Sequence, residues 1–96
     1  MYIVYILFSR SLGKFYIGQT RNLSDRLTRH NSARVPFTSK GTPWILLWST
    51  EKPTRGEAMR LERKLKNLSQ LRLVEFMKKY CDGVPSPDIL HQLDAI

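Results

Sequence analysis

One cysteine, Cys81, stands alone in the 96 residues, so the chain has neither an internal disulfide nor a thiolate cluster for zinc, as suits a reducing cytoplasm. Long apolar runs are also missing. Trp44-Ile45-Leu46-Leu47-Trp48 is among the longest, far short of the roughly 18 residues that span a bilayer. No signal-peptide pattern precedes it, so a soluble, intracellular, cytoplasmic protein without a membrane partner is expected. Carboxylates are scarce as well. From Met1 to Thr50 the only one is Asp25, whereas from Cys81 onward the charges are Asp82, Asp88 and Asp94, with no lysine or arginine. No repeat or low-complexity segment is present.

What is abundant is positive charge. Sixteen Lys and Arg face eight Asp and Glu, a formal charge of +8, which favours fast, salt-sensitive association with a polyanion. Nucleic acid is the leading partner, and the basic surface has to be built by residues before Cys81. A chain of this length makes one small compact domain. We place it at 1–80, with 81–96 as an acidic tail.

Patterning predicts strand, strand, helix, strand, then two or three helices. Tyr2 to Phe8 is β-branched, aromatic or leucine and stops at Ser9-Arg10-Ser11-Leu12-Gly13, a turn, from which Phe15-Tyr16-Ile17-Gly18 returns as a hairpin partner. Asn22 caps a helix to about Asn31, with Asp25 three residues on and Leu23 and Leu27 as its apolar stripe. Ser32 to Thr42, with Arg34 and Lys40 beside Pro36 and Gly41, reads as a basic surface loop able to grip a substrate backbone. Trp44 to Thr50 reads as a buried central strand. Thr54 and Glu57 form a capping box for a helix with Ala58, Leu61, Leu65 and Leu68 at helical spacing. Ser69 caps the next, which should lay Leu73, Val74, Phe76, Met77 and Tyr80 on the core. Ser86-Pro87-Asp88 predicts a short terminal helix.

Five residues bear chemistry. Tyr5 and Tyr16 sit in the two paired strands, so both phenols can converge on one side, and Gly18 leaves room beside Tyr16 for a phosphate backbone. Arg26 and His30 are four apart and share a helix face. A guanidinium binds two phosphate oxygens at once and stabilises charge built up in displacement. Glu62 lies at the edge of its helix's apolar stripe among Arg60, Arg63, Lys64 and Lys66. Its plainest reading is an i,i+4 ion pair with Lys66. The functional one is a ligand for a divalent ion, since magnesium takes only one or two carboxylates and completes its octahedron with water and substrate oxygens.

The chain resembles a GIY-YIG nuclease domain. Ile3-Val4-Tyr5 stands for the first element and Tyr16-Ile17-Gly18 for the second, followed by Gln19-Thr20-Arg21-Asn22-Leu23, Arg26, His30, and Ala58 through Lys66 around Glu62. The order and spacing are similar to small stand-alone bacterial members. The resemblance implies an α+β fold, a small central three-stranded antiparallel sheet flanked by helices, and hydrolysis of DNA phosphodiesters, single-stranded, branched or duplex, with one Mg2+ or Mn2+. It also implies roles. Tyr5 and Tyr16 frame the attacking water, one serving as or assisting the general base, with cationic neighbours and metal favouring phenolate over a phenol whose ordinary pKa is about 10. Arg26 holds the phosphate, His30 lies within its reach, and Glu62 binds the ion. Gln19, Arg21, Arg29, Arg34, Lys40 and Lys66 are expected nucleic-acid contacts.

The first element lacks its glycine, Gln19 stands where some relatives have lysine, and only Asn67 and Ser69 stand in for a late supporting asparagine. The alternative from another class is a non-catalytic nucleic-acid-binding module in which Glu62 is only an ion-pair partner. The tail could serve a protein partner or a homodimer.

Overall fold

The computed structural model describes residues 1–32 and 39–80. Three strands, β1 (Tyr2–Ser9), β2 (Lys14–Thr20) and β3 (Trp44–Lys52), and three helices, α1 (Leu23–Asn31), α2 (Arg55–Lys66) and α3 (Gln70–Lys79), follow one another as β1, β2, α1, β3, α2, α3. A single 3-10 turn, Ser39–Gly41, precedes β3. The sheet is antiparallel in the order β2-β1-β3, the α+β architecture expected. Among the described residues no helix is long and apolar enough to cross a membrane.

The hairpin between β1 and β2 closes where the Gly13 N–H donates to the Ser9 carbonyl at 2.8 Å. Gly13 has φ 63°, a left-handed conformation that glycine adopts without a Cβ penalty. That turn sets the register Tyr5↔Gly18 and Leu7↔Tyr16, which puts Tyr5 and Tyr16 on one face.

All three helix starts carry the caps the sequence predicts. Asn22 Oδ1 accepts from the Asp25 N–H at 3.0 Å, Thr54 Oγ1 from Glu57 at 3.2 Å and Ser69 Oγ from Arg72 at 3.2 Å. Each satisfies a donor the helix cannot, a contribution of about 1 kcal/mol.

Each face of the sheet is covered. Val4, Ile6, Phe8, Ile17, Leu47 and Trp48 pack against Ala58, Leu65, Leu73 and Met77 of α2 and α3. Tyr5, Leu7 and Trp44 pack with Tyr16, Leu46 and the α1 residues Leu23 and Leu27. A register shift between Ile6 and Leu7 in the β1–β3 pairing lets the consecutive Leu47 and Trp48 both join the α2–α3 core.

Two expectations are corrected. Trp44 to Thr50 is not the central strand, because among the described residues β3 pairs with β1 alone and β1 is central. The run is apolar because helices cover both its faces, which makes an edge strand read like a central one. Tyr80 is 48% exposed. Among the described residues it meets the core through its carbonyl, which accepts from Trp48 Nε1 at 2.9 Å, and through its ring contact with Phe76. Arg34, the 81–96 tail with its predicted terminal helix, and most of the Ser32 to Thr42 loop lie outside the described residues.

Candidate active site

Strand register and helix spacing converge on one aromatic cluster. Tyr5 of β1 and Tyr16 of β2 stack with ring centroids 6.4 Å apart, and His30, near the end of α1, lies 4.8 Å from the Tyr16 ring. Trp44, at the start of β3, meets Tyr16 edge-on at 6.2 Å. Tyr5 Oη and His30 Nε2 share a buried hydrogen bond of 3.2 Å, the imidazole tautomer setting which of them donates.

Gly18 makes this packing possible. A Cβ there would meet Tyr5 Oη at 2.6 Å, Tyr5 Cζ at 2.8 Å and Tyr16 Cε1 at 3.3 Å, so the two phenols occupy the space a side chain would take. The expectation of room for a substrate is thereby corrected, since that space holds Tyr5.

His30 is fixed from its own helix. Its neighbour Asn31 clamps the start of β3. The Trp44 N–H donates to Asn31 Oδ1 at 2.6 Å, and Asn31 Nδ2 donates to the Trp44 carbonyl at 3.3 Å. One amide therefore ties the end of α1 to the strand whose indole packs on Tyr16. Sequence reading missed it, because an asparagine at a helix end carries no signal for a bond thirteen residues away.

Electrostatics follow from burial. Tyr5 and His30 are each 1% exposed. Burial pushes the Tyr5 phenol well above its ordinary 10.0, with Tyr16 and Glu62 adding to the effect and Arg26 opposing it. At Tyr5, loss of solvation outweighs the Arg26 guanidinium and favours the neutral phenol. Burial, followed by repulsion from Arg26, lowers His30 below 6.5, so the imidazole is neutral at pH 7. Arg26 thus acts electrostatically on both groups.

Glu62 approaches from α2. It acts electrostatically on Tyr5 and pairs with Lys66 Nζ at 2.8 Å, the carboxylate side chain being 19% exposed and the lysine 55%. It opens into a groove of about 350 Å³ lined by Gln19, Met59, Arg63, Lys66 and Asn67. Among the described residues no group of three or more His, Cys, Asp or Glu gathers into a cage. What Glu62 offers is one hard oxygen donor at the lip of a groove, a set that suits Mg2+ or Mn2+ completed by water and phosphate oxygens.

The expected nucleic-acid contacts divide. Gln19 and Lys66 share the Glu62 groove. The Arg21 guanidinium lies 5.4 Å from the Tyr2 ring centroid, stacked over it. Arg29 is engaged with Asp25 at 3.1 Å in an exposed pair. Lys40 is exposed on the turn before β3. Sequence reading missed Met59, and it named Arg63 only as a neighbour of Glu62. Both lie on the same α2 face as Glu62, at a spacing visible in the sequence whose direction only the packing reveals.

Known proteins resemble this chain over most of its length. Residues 1–75 match the GIY-YIG catalytic domain. A UPF0213 protein of Nitratidesulfovibrio vulgaris is 42% identical over 55 residues, 56% of this chain and 50% of that protein. A UPF0213 protein of Enterococcus faecalis is 32% identical over 71 residues, 71% of this chain and 81% of that one. The solution NMR structure of a UPF0213 protein from Bacillus halodurans superimposes with a TM-score of 0.52 and 30% identity, over 88% of this chain and 89% of the other.

Proposed function

Because this chain belongs to the GIY-YIG catalytic-domain family, we propose that it is a divalent-metal-dependent endonuclease that hydrolyses DNA phosphodiester bonds. The observation that carries this reading is the cluster of Tyr5, Tyr16 and His30, brought from β1, β2 and α1 around one buried hydrogen bond, with Arg26 of α1 and Glu62 of α2 acting electrostatically on Tyr5. A domain with charge +8 supplies the attraction that brings a polyanion to it.

Each residue takes the role its surroundings allow. Arg26 holds the scissile phosphate and stabilises the charge that grows on it. Tyr16, half-buried, orients the attacking water. Tyr5 is neutral, and its hydroxyl relays the water's proton: as the water oxygen bonds to phosphorus and the P–O bond to the leaving group breaks, Oη gains that proton and passes its own to His30 Nε2. A neutral imidazole is a competent acceptor at pH 7, and no phenolate has to form first. Glu62 would hold the metal, which when bound neutralises charge on the leaving oxygen.

Glu62→Gln tests this reading against the non-catalytic binding module. An enzyme with this variant loses cleavage and keeps its DNA affinity. A protein that cuts no DNA even as wild type, and whose Glu62→Gln variant binds DNA equally well or better, is the binding module.

A further inference from the structure

The groove beside Glu62 is more than the setting of one carboxylate. Met59, Glu62, Arg63 and Lys66 follow one another along one face of α2, and Gln19 of β2 forms the opposite wall, with Asn67 at the end. Lys66 is engaged with Glu62, and two features then lack a structural purpose. Met59 is 42% exposed, a large apolar side chain on the outer side of a strongly charged helix. Arg63 is exposed and, among the described residues, makes no ion pair.

The chemistry of the lining selects its ligand. A guanidinium takes a phosphate, a thioether packs on the flat face of a base, and the Gln19 and Asn67 amides can bond base edges. An acidic peptide fits less well, because its carboxylates give Met59 no flat face to pack on, whereas each nucleotide of a phosphodiester strand carries both a phosphate for Arg63 and a base for Met59. We propose that this groove seats one nucleotide of the bound strand next to the scissile phosphate, with Arg63 on its phosphate and Met59 against its base. The assignment rests on the nuclease reading and extends it to residues outside the catalytic cluster. The groove's volume of about 350 Å³ lies at the lower end of small-ligand sites, the scale of a single nucleotide.

Lys64 provides an internal control. It carries the same charge on the same helix, it is exposed, and it is not part of the groove lining. The experiment is binding of fluorescent oligothymidylate to the whole chain in EDTA, where no cutting occurs, across a KCl series. Wild type is compared with Arg63→Ala, Met59→Ala and Lys64→Ala, with thermal melts to verify folding. Arg63→Ala should weaken binding about tenfold and flatten the log–log salt slope by about 0.7. Met59→Ala should weaken it about threefold with the slope unchanged, and Lys64→Ala should do neither. Equal effects of Arg63→Ala and Lys64→Ala, or no effect of Met59→Ala, would overturn the nucleotide site. So would a poly-glutamate peptide whose binding depends on Arg63 and Met59 as strongly. Metal-dependent cutting by the wild type, measured alongside, separates the two readings: if it persists while the groove variants behave like Lys64→Ala, only the groove assignment falls. A wild type that neither binds nor cuts removes both.

Discussion

The Tyr5 hydroxyl lies 3.2 Å from His30 Nε2, and both residues are 1% exposed, so in the resting site the phenol and the imidazole form one neutral hydrogen-bonded unit. Charging either member means placing an ion where little water is available to hydrate it. The contact therefore governs how the site responds to pH.

If His30 is the proton acceptor, cleavage should require its neutral form. The rate should fall on acidification, with a midpoint below 6.5 because burial and Arg26 lower the imidazole. Stability should follow the same sign. Between the unfolded pKa near 6.5 and the lower folded one, the unfolded chain binds the extra proton, so stability is full above about pH 6.5 and is lost as pH falls through the folded value. Tyr5 acts at the other end: its raised phenol makes the folded state lose stability as pH rises beyond about 10. A pH–rate profile and melts across the same range check this. In Tyr5→Phe, which breaks the relay, cleavage should drop sharply while DNA affinity stays. Full activity in that variant would exclude the relay.

Gly18→Ala should damage the site by steric means alone. The new methyl meets Tyr5 Oη at 2.6 Å and Cζ at 2.8 Å, and the Tyr5 ring is buried and cannot swing away freely. Overpacking of this kind costs about 1–3 kcal/mol. A lower melting temperature together with a His30 imidazole NMR signal shifted from wild type is the expected result, and cleavage should fall as well. Unchanged melting and an unchanged His30 signal would show that Tyr5 has space to yield.

Asn31→Ala removes both bonds to the Trp44 backbone and leaves a part-buried N–H and C=O to find other partners. A loss of about 1–3 kcal/mol follows, measurable by urea unfolding. Because Asn31 adjoins His30 and Trp44 packs on Tyr16, turnover should fall in the folded variant while DNA affinity holds. A variant that is less stable yet turns over normally would confine Asn31 to a structural role.

Lys66→Met frees the Glu62 carboxylate from its 2.8 Å partner. The lysine is 55% exposed, so the pair is worth at most about 1 kcal/mol. Mn2+ affinity should therefore rise only about two- to fivefold, with DNA affinity reduced by the lost cation. A Mn2+ titration followed by electron paramagnetic resonance reads this directly. Weaker Mn2+ binding would mean that Lys66 positions the carboxylate instead of competing for it.

Much of the fold was legible because its signals are local. Asn22, Thr54 and Ser69 announce helix starts through side-chain bonds three residues long, and the Gly13 turn sets the register that pairs Tyr5 with Gly18. The sequence also shows Arg26 and His30 on one helix face. Less legible was whatever depends on distant segments meeting. The apolar run of β3 reflects helices on both its faces and does not reveal its edge position. The charge state of Tyr5 turned on burial, which a list of cationic neighbours does not give. Asn31 reaches Trp44 only after β3 returns to the sheet, and Met59 and Arg63 acquire a facing wall only when α2 lies along β2.

The central claim is that Glu62 makes this protein a metal-dependent nuclease. Its most direct test is cleavage of end-labelled single-stranded, duplex and branched DNA under single-turnover conditions, with Mg2+ or Mn2+ and with EDTA, by wild type and Glu62→Ala prepared identically. The account predicts cutting of at least one substrate by the wild type, abolished by EDTA and reduced at least about a hundredfold in the variant. Cutting that survives both EDTA and Glu62→Ala, or no cutting by a wild type that binds all three DNAs, would contradict it.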